Sequence, residues 1–370
     1  MTFNTIEILS FLVVFLLLFF ALYLLNVKTT KKLSNILFAI FLIVTALDIS
    51  SFFYHKFISV SYTFEMLRTQ ILSGLKEPLF YLYILSVIYD NFKLKVAHLI
   101  FFIPILISLV ILYPNFFDVT VSQQEIFYNN YNSQPEIKII TGMQYILVLA
   151  YLVAEIYQVV RYRKIVKQNY SNPNSLINYK WLKQFLIIIS IGILLTFIKN
   201  VLKFNTEDTV VINNIRILTL LFGVGLMSWL FSKALLAPKV FQGIDSSITS
   251  LSDKKIEVED KRVQEIFEFM EKEKPYLDPS LTLQKLAGQL QINSRDLSVI
   301  INQQIGKHFF DFVNEYRIEN AKKLLSENSK SQLTVLEILY EVGFNSKSSF
   351  NTSFKKLVGV TPTEYRKSKV

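Results

Sequence analysis

Residues 334–366, TVLEILYEVGFNSKSSFNTSFKKLVGVTPTEYR, decide the fold of the C-terminal part of this chain. Two Thr-x-x-Glu patterns, Thr334–Glu337 and Thr361–Glu364, have the spacing of capping boxes, which begin helices. Gly343 and Gly359 are typical of the residue that follows the last turn of a helix. The stretch therefore predicts a helix, a tight turn, a second helix and the start of a third.

The same helix, turn and helix pattern occurs earlier in the sequence. Residues 286–292 correspond to residues 338–344, and the second helices of the two units begin at Ser294 and Ser346, 52 residues apart. An amphipathic helix over residues 309–325 separates them and would be about 25 Å long. Helix-turn-helix units place their second helix, the recognition helix, in the major groove of DNA, so this arrangement suits two recognition helices about 34 Å apart.

The most distinctive motif of the C-terminal sequence is VGFNSKSSF at residues 342–350. The residues that follow it at fixed spacing are FKK at 354–356, Gly359, Thr361-Pro362 and EYR at 364–366. On these residues, the sequence from about 262 to 370 closely resembles the DNA-binding domain of AraC-type (AraC/XylS family) transcription regulators. The resemblance implies an all-helical domain with two helix-turn-helix units and double-stranded DNA as partner.

The second recognition helix, which begins after Ser346, has two distinct sides. Phe350, Phe354 and Leu357 follow the i, i+4, i+7 pattern of a buried face. The other side is polar and lacks acidic residues; it consists of Lys347, Ser348, Asn351, Thr352 and Lys355. Such side chains can bond base edges and phosphates, and the resemblance implies that the first four contact bases. A merely solvated face is the alternative.

The first recognition helix, residues 294–304, offers a less regular set of outward positions. These are Arg295, Ser298, Val299 and Asn302. Val299 donates no hydrogen bond, but its methyl groups suit contact with a thymine methyl. The basic residues predicted to neutralise phosphates are Lys322, Lys323, Lys355, Lys356, Arg366, Lys367 and Lys369.

Residues 1–237 have a different composition. The whole chain of 370 residues is 52% hydrophobic and only 18% charged, below the roughly 25% of a soluble domain. Residues 8–25 contain no charge and are long enough to cross a bilayer. A signal peptide is not expected there, because no Lys or Arg precedes Lys28 and no small-residue cleavage site follows. Six further apolar segments, at 34–54, 71–89, 96–113, 140–160, 184–204 and 215–236, complete a predicted seven-helix transmembrane domain.

Lys and Arg are concentrated in alternate connections. Eleven lie in the connections after the first, third and fifth segments, and six lie in the others. The positive-inside rule places the first set in the cytoplasm. We therefore expect a multi-pass protein of the cell (inner) membrane, in contact with lipid, with its N-terminus outside and its C-terminal domain in the cytoplasm. Most of the +8 net charge of residues 1–250 follows from this topology, without nucleic acid.

Some ionisable residues fall inside the predicted spans, where charge is costly and usually functional. Asp48, Lys76 and Glu77 all map to the outer half. Two interpretations remain open: salt bridges between helices, or a sensory pocket that opens outward and has these three residues near its floor. In the second case the connection at 114–139 would cover the pocket.

A polar segment joins the two parts of the chain. We predict a cytoplasmic linker at 238–260 and a helix over 257–274, whose apolar stripe is typical of a domain seam or of a dimer contact. A homodimer is therefore left open. A signal would cross either by rigid coupling through the linker or by proteolytic release within it.

No feature of the sequence favours an enzyme. The chain has no Cys and three widely separated His, which excludes thiolate metal sites and makes a His cluster improbable, and it contains none of the common hydrolase or nucleotide-binding motifs. We expect no cofactor and no metal. The sequence predicts a membrane-anchored DNA-binding transcription regulator, with residues 1–237 as sensor and residues 261–370 as the AraC-type domain. The alternative is a membrane transporter or receptor whose C-terminal helical domain is a protein-interaction module.

Overall fold

The structure, a computed structural model, describes residues 2–28, 32–89, 92–171, 177–205, 208–236, 260–326 and 333–369. These residues form helices joined by short connections, and no β-strand occurs among them. The predicted all-α fold class is confirmed. The chain divides into two compact units, Met1–Gln158 with Leu182–Asp245 and Val159–Trp181 with Ser246–Val370. The predicted linker lies almost wholly outside the described residues.

Most helices of the N-terminal part are long and apolar. The helices of this part are α1 Thr5–Asn26, α2 Lys32–Ile49, α3 Tyr62–Leu67, α4 Ser73–Ile88, α5 Ile103–Leu112, α6 Val121–Asn129, α7 Pro135–Asn169, α8 Ile177–Asn205 and α9 Thr209–Leu236. Of these, α3 and α6 are short. A π-helical turn, Arg68–Leu72, joins α3 to α4.

Seven helical stretches within the described ranges are long and apolar enough to cross a membrane. They are Thr5–Asn26, Lys32–Phe52, Tyr62–Ile88, Val96–Phe117, Pro135–Asn169, Tyr179–Leu202 and Thr209–Ala234. Each overlaps one of the seven segments predicted from hydropathy. The fifth is the longest, because helical structure continues from the apolar segment into the basic residues 161–167.

The C-terminal part contains shorter helices with defined caps. They are α10 Asp260–Lys272, α11 Leu283–Gln289, α12 Ser294–Val299, α13 Phe309–Ser326, α14 Val335–Glu341, α15 Lys347–Val358 and α16 Pro362–Lys367. Both predicted capping boxes are formed, at Thr334–Glu337 and at Thr361–Glu364. A π-helical turn, Ile300–Gln304, extends α12.

The long helix α13 belongs to two apolar cores. Phe312 and Val313 pack with residues of α10, α11 and α12 in the first core, while Ile318 and Ala321 pack with residues of α14 and α15 in the second. The helices of each helix-turn-helix unit pack around one of these cores, so α13 connects the two helix-turn-helix units as predicted. Buried residues of α10, including Met270, belong to the first core, so the apolar stripe of this helix is the seam of a domain.

Candidate nucleic-acid interface

The helix α15 is the second predicted recognition helix, and its buried side is aromatic. Phe350 and Phe354 are fully buried, with ring centroids 5.7 Å apart. The Ser346 side chain caps the helix by accepting a hydrogen bond from the amide of Ser349 at 3.3 Å. The prediction that Leu357 shares the buried side is wrong, since it is 42% exposed. The last turn ends at the left-handed Gly359, and Val358 packs against the second core instead.

The opposite side of α15 is open and basic. Lys347, Ser348, Thr352 and the two lysines Lys355 and Lys356 are exposed, and Asn351 is half-buried. The Thr352 hydroxyl donates to the carbonyl of Ser348 at 2.8 Å, so its oxygen can still accept a hydrogen bond. Lys356 forms an ion pair of 2.7 Å with Asp311 of α13. The structure therefore presents the predicted residues of this helix together on one surface.

The first recognition helix, α12 with its π-helical turn, differs from expectation. Arg295 is exposed, but Ser298 and Val299, which were predicted at outward positions, are buried at 0% and 4% exposed. Leu297 of the same helix faces the first core. Val299 lies about 200° around the helix from Leu297, so both sides of this helix are covered.

The amide of Asn302 is engaged inside the protein. Its Nδ2 donates to the carbonyl of Ser298 at 2.7 Å and to the Ser298 hydroxyl at 3.1 Å. Its Oδ1 lies 3.0 Å from Nδ1 of His308. Of the four positions predicted on this helix, only Arg295 is exposed in this structure.

Several predicted phosphate-neutralising residues have partners within the domain. Lys322 pairs with Glu319 at 2.9 Å, and this hydrogen-bonded carboxylate raises the pKa of Lys322. Arg366 donates to the carbonyl of Leu333 at 2.8 Å, and Lys369 lies over the ring of Tyr365. Lys323, Lys355 and Lys367 are exposed.

Sequence reasoning missed the buried Arg317 of α13. Its guanidinium is 0% exposed and donates to the carbonyls of Tyr276 at 2.7 Å and Asp278 at 2.8 Å. It also lies over the ring of Phe344. Burial lowers the pKa of Arg317 to about 10, which leaves it protonated at neutral pH. Periodicity alone gives no sign that this charged residue belongs to the interior.

The residues of the predicted sensory pocket lie in the N-terminal unit. Asp48 accepts hydrogen bonds from Lys76 at 2.5 Å and from Arg68 at 3.1 Å, and Arg68 also pairs with Glu65. Glu77 is half-buried and forms no ion pair among the described residues. For Asp48 and Lys76, these contacts favour the interpretation as salt bridges between helices. Arg68 was missed because the sequence placed it in a connection.

Comparison with known proteins places the C-terminal part in a recognised class. Residues 286–368 match the family described as "Helix-turn-helix domain". The HTH-type transcriptional regulator YtdP of Bacillus subtilis is 35% identical over 92 residues, which are 25% of this chain and 12% of YtdP. A regulator of Streptomyces lividans described as AraC-like is 28% identical over 88 residues, 24% of this chain and 28% of its own length.

A solved structure is also similar in sequence. The C-terminal domain of the two-component response regulator yesN from Fusobacterium nucleatum is 33% identical, with a TM-score of 0.26, and the match covers 29% of this chain and 99% of that domain. The chain thus spans less than a third of the full-length regulators and nearly all of the isolated domain. Residues 286–368 are an AraC-type helix-turn-helix domain.

Proposed function

We propose that this protein is a membrane-anchored, sequence-specific DNA-binding transcription regulator that receives a signal through residues 1–237. The observation that carries the proposal is the outward side of α15. It places Lys347, Ser348, Asn351, Thr352 and Lys355 on one surface of a helix-turn-helix unit, and none of them is acidic. These are the donor and acceptor types that contact base edges and phosphates in the major groove.

The relatives support the same function. YtdP and the regulator from Streptomyces lividans are both named as transcription regulators, and the aligned part is the helix-turn-helix domain. Recognition of DNA by such a domain requires a specific surface and a basic field, and residues 281–370 carry 13 basic and 8 acidic residues.

The apolar surface of the N-terminal helices supports a membrane anchor. On α1, Phe11, Phe15, Phe19 and Leu22 are each more than half exposed and follow helical spacing. A contiguous apolar stripe of this size is unfavourable in water and is suited to lipid chains. Lipid is therefore the partner proposed for this face.

We infer that the salt bridges of Asp48 with Arg68 and Lys76, rather than an open pocket, receive the signal. The loop residue Tyr131 is bound close to these salt bridges in sequence, because its hydroxyl accepts a hydrogen bond of 2.9 Å from the buried Gln70, two residues after Arg68. Asp48→Asn leaves two cations without their shared carboxylate. We expect this variant to change signal-dependent reporter output, and an unchanged response would exclude a sensing role for these salt bridges.

Genome-wide mapping of DNA bound by the tagged full chain tests the main proposal. The test variant is Lys347→Ala with Asn351→Ala, which removes one cation and one amide from the outward side of α15. The matched control is Lys272→Ala with Gln264→Ala, which makes the same chemical change at exposed positions of α10. We expect discrete bound sites for the wild type and the control and their loss in the test variant; equal maps for test and control would contradict the assignment of α15.

A further inference from the structure

The two recognition helices differ in how far they are covered. When the core residue Leu297 is equated with Phe350, Val299 becomes the equivalent of Thr352. Thr352 is exposed, whereas Val299 and its neighbour Ser298 are buried. Because Val299 points away from the first core, its burial requires a second surface on the side of α12 that DNA would approach.

A segment far away in the sequence is anchored beside this helix-turn-helix unit. Ser171, 0% exposed, donates from its hydroxyl to the carbonyl of Leu281 at 2.6 Å. Its own carbonyl accepts hydrogen bonds of 3.2 Å from both Asn314 and Arg317 of α13. A β-bridge between Tyr170 and Thr282 extends the contact to the N-cap of α11. Ser171 therefore attaches the residues that follow α7 to the first helix-turn-helix unit and to α13.

The last turns of α7 present an apolar face within the same compact unit. Tyr162, Ile165 and Val166 follow i, i+3, i+4 spacing and are at most 1% exposed. The next polar residue on this stretch, Lys167, lies 4.0 Å from Asp311 at the start of α13. Its positive charge contributes to the lowered pKa of His308. The ring of His308 is hydrogen-bonded to Asn302 of the first recognition helix. The end of α7 is therefore close to the C-terminal end of that recognition helix.

We propose that residues 159–171 are an intrachain cover that packs on the first recognition helix and keeps it from DNA. The described state then has one open recognition helix, α15, and one closed, α12. Release of the cover would expose Ser298 and Val299 and allow both helices to contact a two-part site. Since α7 is one continuous helix from Pro135, and its residues up to Gln158 belong to the N-terminal unit, a signal there has a covalent route to the cover. The DNA consequence rests on the proposed function above.

When one of two recognition helices is covered, the apparent affinity equals the intrinsic affinity multiplied by the fraction of chains in which the site is open. A substitution that weakens the cover should therefore tighten binding to a two-part site without adding any contact to DNA. Binding to a single half-site read by α15 should change little. This difference separates release of a cover from a general increase in affinity.

The cover can be measured directly, without DNA, by thiol reactivity. The chain contains no Cys, so Val299→Cys and Thr352→Cys each introduce a single thiol at equivalent positions of the two recognition helices. We expect the thiol at 299 to react with a maleimide at least tenfold more slowly than that at 352 in the full chain in lipid nanodiscs. Equal rates would overturn the proposal whether or not the protein binds DNA.

Val166→Lys is the release variant, because it places a charge in the buried face of α7. Val160→Lys is the matched control, since Val160 lies on the same helix but is 58% exposed, whereas Val166 is 0% exposed. Both variants add the same charge. We expect Val166→Lys to accelerate labelling at position 299 and to tighten binding to a mapped two-part DNA site about fivefold or more, and Val160→Lys to do neither. If Val166→Lys accelerates labelling at position 299 but no variant binds DNA, the proposed function is contradicted, whereas the proposal that residues 159–171 cover the first recognition helix is supported.

A reversible cross-link that holds the cover in place tests the proposal in the opposite direction. This test does not require that Val166→Lys folds. Lys167→Cys with Asp311→Cys allows the cover to be cross-linked to α13 by a cleavable bis-maleimide. We expect the cross-linked chain to lose binding to the two-part site and to regain it when the linker is cleaved. Asp311→Cys alone, treated in the same way, controls for loss of the Lys356 ion pair. Unchanged binding in the cross-linked chain would overturn the proposal.

Discussion

Two side chains of α15 should affect DNA binding in different ways. Lys355 is exposed in the last turn, so Lys355→Ala should weaken binding to all sequences and reduce the salt dependence of the affinity by about one counterion. Asn351 is half-buried on the same face, so Asn351→Ala should relax the preference at particular bases by about 1–3 kcal/mol. Titrations of the mapped site and of scrambled duplexes at several salt concentrations distinguish the two. The same sequence-independent loss in both variants would contradict these roles.

His308 should make the domain less stable in mild acid. Burial, and then the positive charges nearby, lower the pKa of His308 below its ordinary value of about 6.5. The charged groups that face it are Lys167, Asp311, Lys164 and Arg163, of which only Asp311 raises the pKa. Because the folded state binds the proton less readily than the unfolded chain, the stabilising contribution of neutral His308 is complete above pH 6.5 and is lost as the pH falls toward the folded pKa.

His308→Gln removes this titration while keeping a group that can bond Asn302. The melting temperature of the wild type should fall more than that of His308→Gln between pH 7.5 and pH 5.5. Since both chains retain His55 and His98, the difference between them reports His308 alone. Parallel curves would exclude a lowered pKa at this residue.

Individual side chains were predictable from sequence where local periodicity determines their surroundings. Phe350 and Phe354 repeat at helical spacing, and both are buried. Ser298 and Val299 were predicted on an outward face and are buried, because periodicity identifies the side of a helix that meets its own core but not a second segment on the other side. Ser171 is more than 100 residues from Leu281, so no local pattern could indicate their contact.

The turn between α14 and α15 is the element most sensitive to an added methyl group. Gly343 and Gly359 both have a left-handed backbone, with φ of +86° and +90°. A Cβ at Gly343 would lie 2.5 Å from the backbone oxygen of Tyr276 and 2.8 Å from that of Leu277, whereas a Cβ at Gly359 would meet nothing within 4 Å. Gly343 is therefore required both for the turn and for its close approach to the segment before α11.

Gly359→Ala is thus a matched control for Gly343→Ala. We expect the control to lower the free energy of unfolding by about 1–2 kcal/mol, the cost of the left-handed conformation. Gly343→Ala should cost roughly 1–3 kcal/mol more, because backbone atoms rather than a flexible side chain must move. Thermal unfolding of the purified chains measures the order of the two. Equal melting temperatures would mean that the backbone at Tyr276 can move away from the added methyl group without lowering the free energy of unfolding.

The boundaries of helices followed the sequence where caps mark them and departed from it where hydropathy was the guide. Thr334 and Thr361 begin helices as their capping boxes predict. The fifth apolar segment was predicted at 140–160, but α7 extends to Asn169. Basic residues end an apolar segment without ending a helix, since Arg and Lys are good helix formers. This extension is the part of α7 that forms the proposed cover.

The molecule as a whole combines two causes of positive charge. Residues 1–250 have a net charge of +8, which the predicted loop topology would explain, and residues 281–370 have +5 in the helix-turn-helix region. The predicted domain limits, 1–237 and 261–370, remain predictions, and the compact C-terminal unit also includes Val159–Trp181. The positive-inside rule places this same basic connection in the cytoplasm with the C-terminal domain. The predicted topology is therefore compatible with the packing of this connection and the C-terminal domain in one compact unit.

Cysteine labelling tests that topology in the full chain, which has no native Cys. Ser133→Cys lies in the exposed connection before α7, on the predicted outer side, and Ser368→Cys lies after α16, on the predicted cytoplasmic side. A membrane-impermeant maleimide should label the first variant in intact cells and the second only after permeabilisation. The unsubstituted chain provides the blank, and Ser368→Cys labelled after permeabilisation shows that its thiol is reactive. Labelling of Ser368→Cys in intact cells would place the helix-turn-helix domain outside, where no cytoplasmic DNA could reach it, and would overturn the proposed function together with the topology.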